Sequence, residues 1–199
     1  PFIPLKDVVC MYIFVDGGFR NKGASSGSSW GLVGVTENAA GAQSVQFSAH
    51  GQVIYNEHEH DFLGAIGPEG SCAPEMSSQI MTRIAIFKYA PEMIPNNSVP
   101  IYIVYDCTSA FAVTDSPSIA HKQQSMSLLC SILDRYLHSI YNIQSQHIHA
   151  HQNHPWNEAV DPVCTFAIDQ ADKGVRYSIP GAPFTHLRLS KLDMFLSSA

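Results

Sequence analysis

The chain has 199 residues, enough for one domain with a tail, and 45% of them are apolar, which supports a buried core and excludes intrinsic disorder. No apolar run approaches the roughly 18 residues that cross a bilayer, so a membrane protein is excluded. Eleven Lys and Arg against 17 Asp and Glu give a net charge of −6, which argues against a self-sufficient nucleic-acid binder, because such a protein usually displays a basic patch.

Pro1-Phe2 carries neither a methionine nor a signal-peptide pattern, so the chain is expected to be a piece of a longer one. Val8–Val15 is apolar and reads as a buried strand that runs into a turn at Asp16-Gly17-Gly18. Asn21–Ser29, rich in Gly and Ser, reads as a loop. Trp30–Thr36 reads as a second strand whose glycines mark a bulge or a close backbone approach. Ala42–Ala49 alternates apolar and polar, a third and half-exposed strand, and the short connections make these three an antiparallel meander. Gly51–Ala73 has no clear period and reads as a long loop, or as an extra hairpin around Val53–Tyr55. Pro74 then opens a helix over about Glu75–Tyr89, with Ile80, Ile84 and Phe87 on one face and Pro91 as its stop.

Val99–Tyr105 reads as a fourth strand, again ending in an acid, Asp106. A short helix at Thr108–Val113, a break at Ser116-Pro117-Ser118 and a long helix over about Ala120–Ile140 follow, the last with Leu128, Leu129, Ile132, Leu133 and Leu137 as its apolar positions. Gln146–Ala150 reads as a short fifth strand, His151–Trp156 as a loop and Asn157–Ala171 as the last helix. This divides the chain into a domain over 1–171 and a C-terminal extension over 172–199, weakly amphipathic at Leu187–Leu196. Three adjacent strands followed by alternation imply an α/β fold: a mixed five-stranded sheet, antiparallel then parallel, with helices on both faces.

The chemistry lies in four acids at element ends. Asp16 and Asp106 each follow a buried strand, Glu75 begins a helix, and Asp161 lies near the start of the last helix. A lone strand-end acid is usually a turn or cap residue. Here the first and fourth strands of a mixed sheet would set Asp16 beside Asp106, and like charges at that distance repel unless a cation lies between them. Hard divalent ions with oxygen ligands solve this, and a pair of them about 4 Å apart clamps an in-line displacement at phosphorus. The most specific segment runs from His151 to Asp161: a loop histidine, then His-Pro-Trp-Asn-Glu with Asn157 placed to cap the helix that carries the acid. A loop histidine beside a metal site can shuttle protons.

These pieces together resemble ribonuclease H of the first type, including the domains found in retroelement polyproteins. Val15–Gly18 followed by Trp30–Val35 looks like that family's first hairpin, Ala73–Met76 like its glutamate site, Tyr105–Ala110 like its strand-end aspartate, and His151–Asp161 like its loop and final aspartate. The resemblance covers about residues 10–171. It implies that Asp16, Glu75, Asp106 and Asp161 bind two magnesium or manganese ions and that His151 assists proton or product release. It also implies that the RNA strand of an RNA–DNA hybrid is the substrate, distinguished from DNA by its 2′-hydroxyl. Gly17, Gly18, Asn153 and Asn157 are the candidate substrate contacts.

Two features depart from the family. Pro162 follows Asp161, so the last helix is expected to begin near Asp161 or to kink there. The basic handle is missing, since only Lys122 is found between Val113 and Ser125; weak, salt-sensitive binding is expected unless a fused or adjoining reverse transcriptase supplies the affinity. One rival reading is a catalytically inactive domain of this fold with a structural or protein-binding role. Another is a different nuclease of the wider superfamily, which the His-to-Asp loop disfavours.

The remaining signals have plainer readings. His147, His149, His151 and His154 resemble a zinc cluster but lack a cysteine partner. Glu57–Asp61 reads as a solvated loop. Arg20 and Lys22 could meet phosphates or simply solvate a turn. Trp30 and Trp156 read as packing residues. Five cysteines without zinc-knuckle spacing read as buried free thiols, which places the protein inside the cell, in the reducing nucleus or cytoplasm.

Overall fold

Along Val8–Val15 the side chains alternate between two sides of a strand, and Ile13, Phe14 and Val15 are all buried. A strand buried on both faces must sit inside a sheet with helices above and below it. The computed structural model, which describes residues 3–22, 25–59, 61–67, 72–115, 123–149 and 154–172, has this arrangement. Strands β1 (Val8–Lys22), β2 (Ser25–Asn38) and β3 (Gln43–Gln52) form the antiparallel meander. Helix α1 (Cys72–Met93) crosses over to β4 (Ile101–Tyr105), which pairs with β1 in parallel. Helices α2 (Thr108–Asp115) and α3 (Gln124–His138) lead to β5 (Ile143–His147), parallel to β4, and α4 (Pro155–Asp172) follows. The sheet order is β3-β2-β1-β4-β5.

On one face α1 sets Met81, Ala85, Ile86 and Ala90 against Met11, Ile13, Leu32, Ile101 and Ile103. On the other, α4 sets Val160, Val163 and Cys164 against Phe14, Val33, Val35 and Val104. A third cluster, with Met76, Ile80, Ala110, Met126 and Cys130, joins α1 to α2 and α3. The mixed sheet with helices on both faces is the expected one.

The predicted turn at Asp16–Gly18 is absent. β1 continues through it, with Asp16 opposite Gly31 and Gly18 opposite Ser29, and the predicted loop over 21–29 is largely the start of β2. The two glycines serve close approach instead: a Cβ on Gly17 would stand 2.3 Å from the backbone nitrogen of Glu75, and one on Gly18 would stand 2.8 Å from the Cβ of Cys164. Gly34 does mark a bulge, where the β2–β3 register shifts.

Helix α1 starts before Glu75 and runs past Pro91, which falls in its last turn. Of the expected stripe Ile80 is buried and Ile84 packs against the core, but Phe87 is 56% exposed. The helix lies between the sheet and α3, and burial on two sides erases a clean period. Helix α3 likewise turns Leu128 and Ile132 to solvent and buries the small residues Ser127, Cys130 and Ser131, over which α1 can approach closely. Arg83, 1% exposed, ties the two helices through Asp134 at 2.8 Å. Residues 53–59 and 61–67 contain no strand; the Gln123 side chain pins this loop by bonding both the N–H and the carbonyl of Ile66.

Helix α4 begins at Pro155, two residues earlier than expected, with proline at a first-turn position that needs no N–H. It contains Pro162 rather than beginning beside it. All five cysteines are free, but Cys72 is exposed and Cys107 half-buried rather than buried. Trp30 is buried, and Trp156 donates its indole N–H to Gln43, so both pack as expected. No helix among the described residues is long and apolar enough to cross a membrane. Ser116–Ser118, Lys122, His151, Asn153 and the extension beyond Asp172 lie outside the described residues.

Candidate metal centre

Parallel pairing sets Phe14 beside Val104, so Asp16 and Asp106, each two residues further along, leave neighbouring strands at the same level. The missing side chain of Gly17 admits the first turn of α1, which brings in Glu75. One carboxylate oxygen from each of Asp16, Glu75 and Asp106 lies within 4.8 Å of the other two. Among the described residues no other group of His, Cys, Asp or Glu converges in this way, and no histidine joins it, so a zinc cluster around His147 and His149 is not formed there.

The three acids are half-buried, and few donors offset their repulsion. Asp16 Oδ1 accepts the N–H of Gly17 at 2.8 Å. Asp106 Oδ2 accepts from Asn157 Nδ2 at 3.2 Å. Burial, and then the charges of Asp16 and Asp106, push the Glu75 carboxyl up to about 9, against a partial opposing bond from the Gly17 N–H. Without a cation the trio therefore keeps a proton at neutral pH. An all-oxygen donor set with this excess of negative charge suits magnesium or manganese.

The surrounding cavity, about 370 Å³, is also lined by Gly17, Gly18, Asn157, Glu158 and Asp161. Asp161 thus reaches the same pocket, but its carboxylate stands outside the tight trio and its side chain is exposed. Asn157 is not the helix cap: it is the third residue of α4, and its amide is spent on Asp106. The sequence reading missed Glu158, although its place three residues before Asp161 puts both on one helical face. His147, which the sequence groups with a zinc-like histidine cluster, instead sets its Nε2 3.3 Å from the backbone oxygen of Asp106. Arg20 pairs with Asp169 at 2.7 Å and so joins β1 to α4.

No protein-family model and no curated protein matches the chain by sequence. Solved structures do match it by shape. The N-terminal RNase H domain of Rv2228c from Mycobacterium tuberculosis is 16% identical, with a TM-score of 0.52 over 83% of this chain and 98% of that one. LC11-RNase H1, solved in complex with an RNA/DNA hybrid, is 14% identical, with a TM-score of 0.52 over 81% of this chain and 98% of that one. The RNase H domain of PFV is 13% identical, with a TM-score of 0.54 over 80% of this chain and 94% of that one. The chain therefore has the ribonuclease H fold, at a level of identity that speaks for fold alone.

Proposed function

We propose that this ribonuclease H fold is a metal-dependent endonuclease that cuts the RNA strand of RNA–DNA hybrids, beside a fused or adjoining reverse transcriptase of a retroelement, in a reducing compartment. The observation that carries the reading is the convergence of Asp16, Glu75 and Asp106, with Glu75 driven up to about 9 by burial and then by the charges of the other two. The hybrid in the LC11-RNase H1 complex supports the substrate, and a structural likeness to the prototype foamy virus protease-reverse transcriptase supports the retroelement setting.

In this reading Asp16, Glu75 and Asp106 hold the ions, and Asp161 completes the set from the pocket wall. When bound, a pair of divalent cations activates a water and stabilises the leaving oxygen. The protein's own part is electrostatic and positional. Asp16 is fixed within β1 and Asp106 directly after β4, Glu75 would give up its proton as positive charge enters, and Gly17 and Gly18 leave the floor open to a sugar–phosphate backbone. His151 serves proton traffic and Asn153 contacts the substrate.

The test is cleavage of a labelled hybrid with manganese, beside matched duplex DNA and single strands. Wild type is expected to cut only the RNA of the hybrid, and Asp16→Asn to lose at least about 100-fold. An inactive domain of the same fold would cut nothing and would show no rise in melting temperature with manganese.

A further inference from the structure

Asn157 is 8% exposed, although it sits in the first turn of a helix where solvent usually serves polar side chains. Its Nδ2 donates to Asp106 Oδ2 at 3.2 Å, while its Oδ1 is buried without a hydrogen-bond partner. Burying an amide with one end unbonded is unfavourable, so its place beside Asp106 is not explained by the stability of α4.

The rotation of α4 is itself locked. Cys164 fits against Gly18, its Sγ donates to the backbone oxygen of Asp16 at 3.4 Å, and its carbonyl accepts from Ser29 Oγ at 2.8 Å. Asn157, Asp161 and Cys164 are spaced i, i+4, i+7 and share one face of the helix. Anchoring Cys164 behind Asp16 therefore aims Asn157 at Asp106. A strand-end aspartate otherwise has two free torsions, and a donor on one oxygen removes them.

We infer that Asn157 is a positioning residue that holds the Asp106 carboxylate in the orientation in which it meets Asp16 and Glu75. The inference rests on the reading of those three acids as a metal site. It assigns Asn157 to the acid rather than to the substrate.

The experiment measures manganese affinity by calorimetry and, separately, kcat and KM on a hybrid, for wild type, Asn157→Ala and Asn157→Gln. Asn157→Ala is expected to weaken manganese binding and lower kcat by about 10- to 100-fold, the usual effect of losing a residue that orients a ligand, with KM changed by less than about twofold. Asn157→Gln keeps an amide donor and is expected to recover part of both losses. Should Asn157→Ala fail to fold, Asn157→Gln and Asn157→Ser carry the same comparison. Manganese affinity and kcat within twofold of wild type, or a loss confined to KM, would overturn the positioning role while leaving the metal site intact. A wild type that neither binds manganese nor cuts hybrid would sink both readings.

Discussion

Glu75 concentrates the electrostatic cost of the site. Its carboxyl sits at about 9 in the folded chain against an ordinary value near 4.3, so the native state holds a proton that the unfolded chain has released. Folding stability then falls as pH rises across that window, by up to about 1.4 kcal/mol per unit. His50, 1% exposed and edge-on to Phe166, is lowered to about 4 by burial and acts in the opposite sense. Its contribution grows from about pH 4 to 6.5 and is lost on acidification. The two slopes offset each other between about pH 4 and 6.5, and among the described residues Glu75 gives the main slope from there to neutral pH and above. With a chelator present, the melting temperature of wild type should fall between pH 6.5 and 9, and Glu75→Gln should flatten that fall. A flat wild-type profile would mean that Glu75 is not suppressed. Calorimetry in buffers of different ionisation heat should also detect about one proton released per binding event at pH 7. The helix-start position of Glu75 is legible in the sequence, but its burial is not, because burial depends on Gly17 admitting the helix. Asp161 illustrates the reverse: its spacing from His151 is legible, yet its carboxylate stands apart from the trio. Asp161→Asn should accordingly cost less manganese affinity than Asp16→Asn, measured side by side.

At the scale of elements, α1 is held from both sides. Arg83 donates through Nε to Asp134 at 2.9 Å and through Nη1 to the backbone and side-chain oxygens of Gln79; Arg83 and Gln79 are each 1% exposed, and Asp134 is half-buried. Removing one member leaves the other charge without its partner in a low-dielectric setting. Asp134→Ala should therefore cost about 3–5 kcal/mol in urea unfolding, and Arg83→Met combined with Asp134→Leu should recover much of it. If the single and double variants unfold at the same urea concentration, the pair is not the latch described. The order and type of the elements were readable because period-2 runs and long periodic segments survive in the sequence. What escaped has a physical cause in each case. Gly17 and Gly18 carry the composition of a turn, but their lack of side chain serves two helices on opposite faces. Helix α1 is buried toward both the sheet and α3, so no single stripe marks its packing face. Pro162 suggests a helix start, yet α4 is anchored further along by Cys164, and tertiary contacts override the local preference. Pro162→Ala should stabilise the protein by up to about 3 kcal/mol, read from the same unfolding curves.

For the whole molecule the unsolved quantity is charge. Residues 1–172 hold seven of the eleven basic and sixteen of the seventeen acidic residues, a net −9, while 173–199 carry +3. In the described part Arg20 is engaged with Asp169 and Arg83 lies buried against Asp134. Neither is placed to meet a phosphate without giving up that partner, and an acidic body repels a polyanion at long range. Lys6, Lys88 and Arg135 are exposed but scattered over the acidic body, whereas Lys173, Arg176, Arg188 and Lys191 beyond Asp172 give the last 27 residues a net +3. Each phosphate neutralised contributes about 0.9 to the slope of log affinity against log salt. Deleting 173–199 should therefore raise KM for a hybrid at least about tenfold near 100 mM salt and lower that slope by up to about 4. The kcat at saturating hybrid should stay within about twofold, because Asp16, Glu75 and Asp106 are untouched. Unchanged KM and slope after deletion would mean that the chain draws its affinity from elsewhere. In that case fusing a reverse transcriptase in cis, as the proposed function implies, should restore tight binding whether or not 173–199 is present.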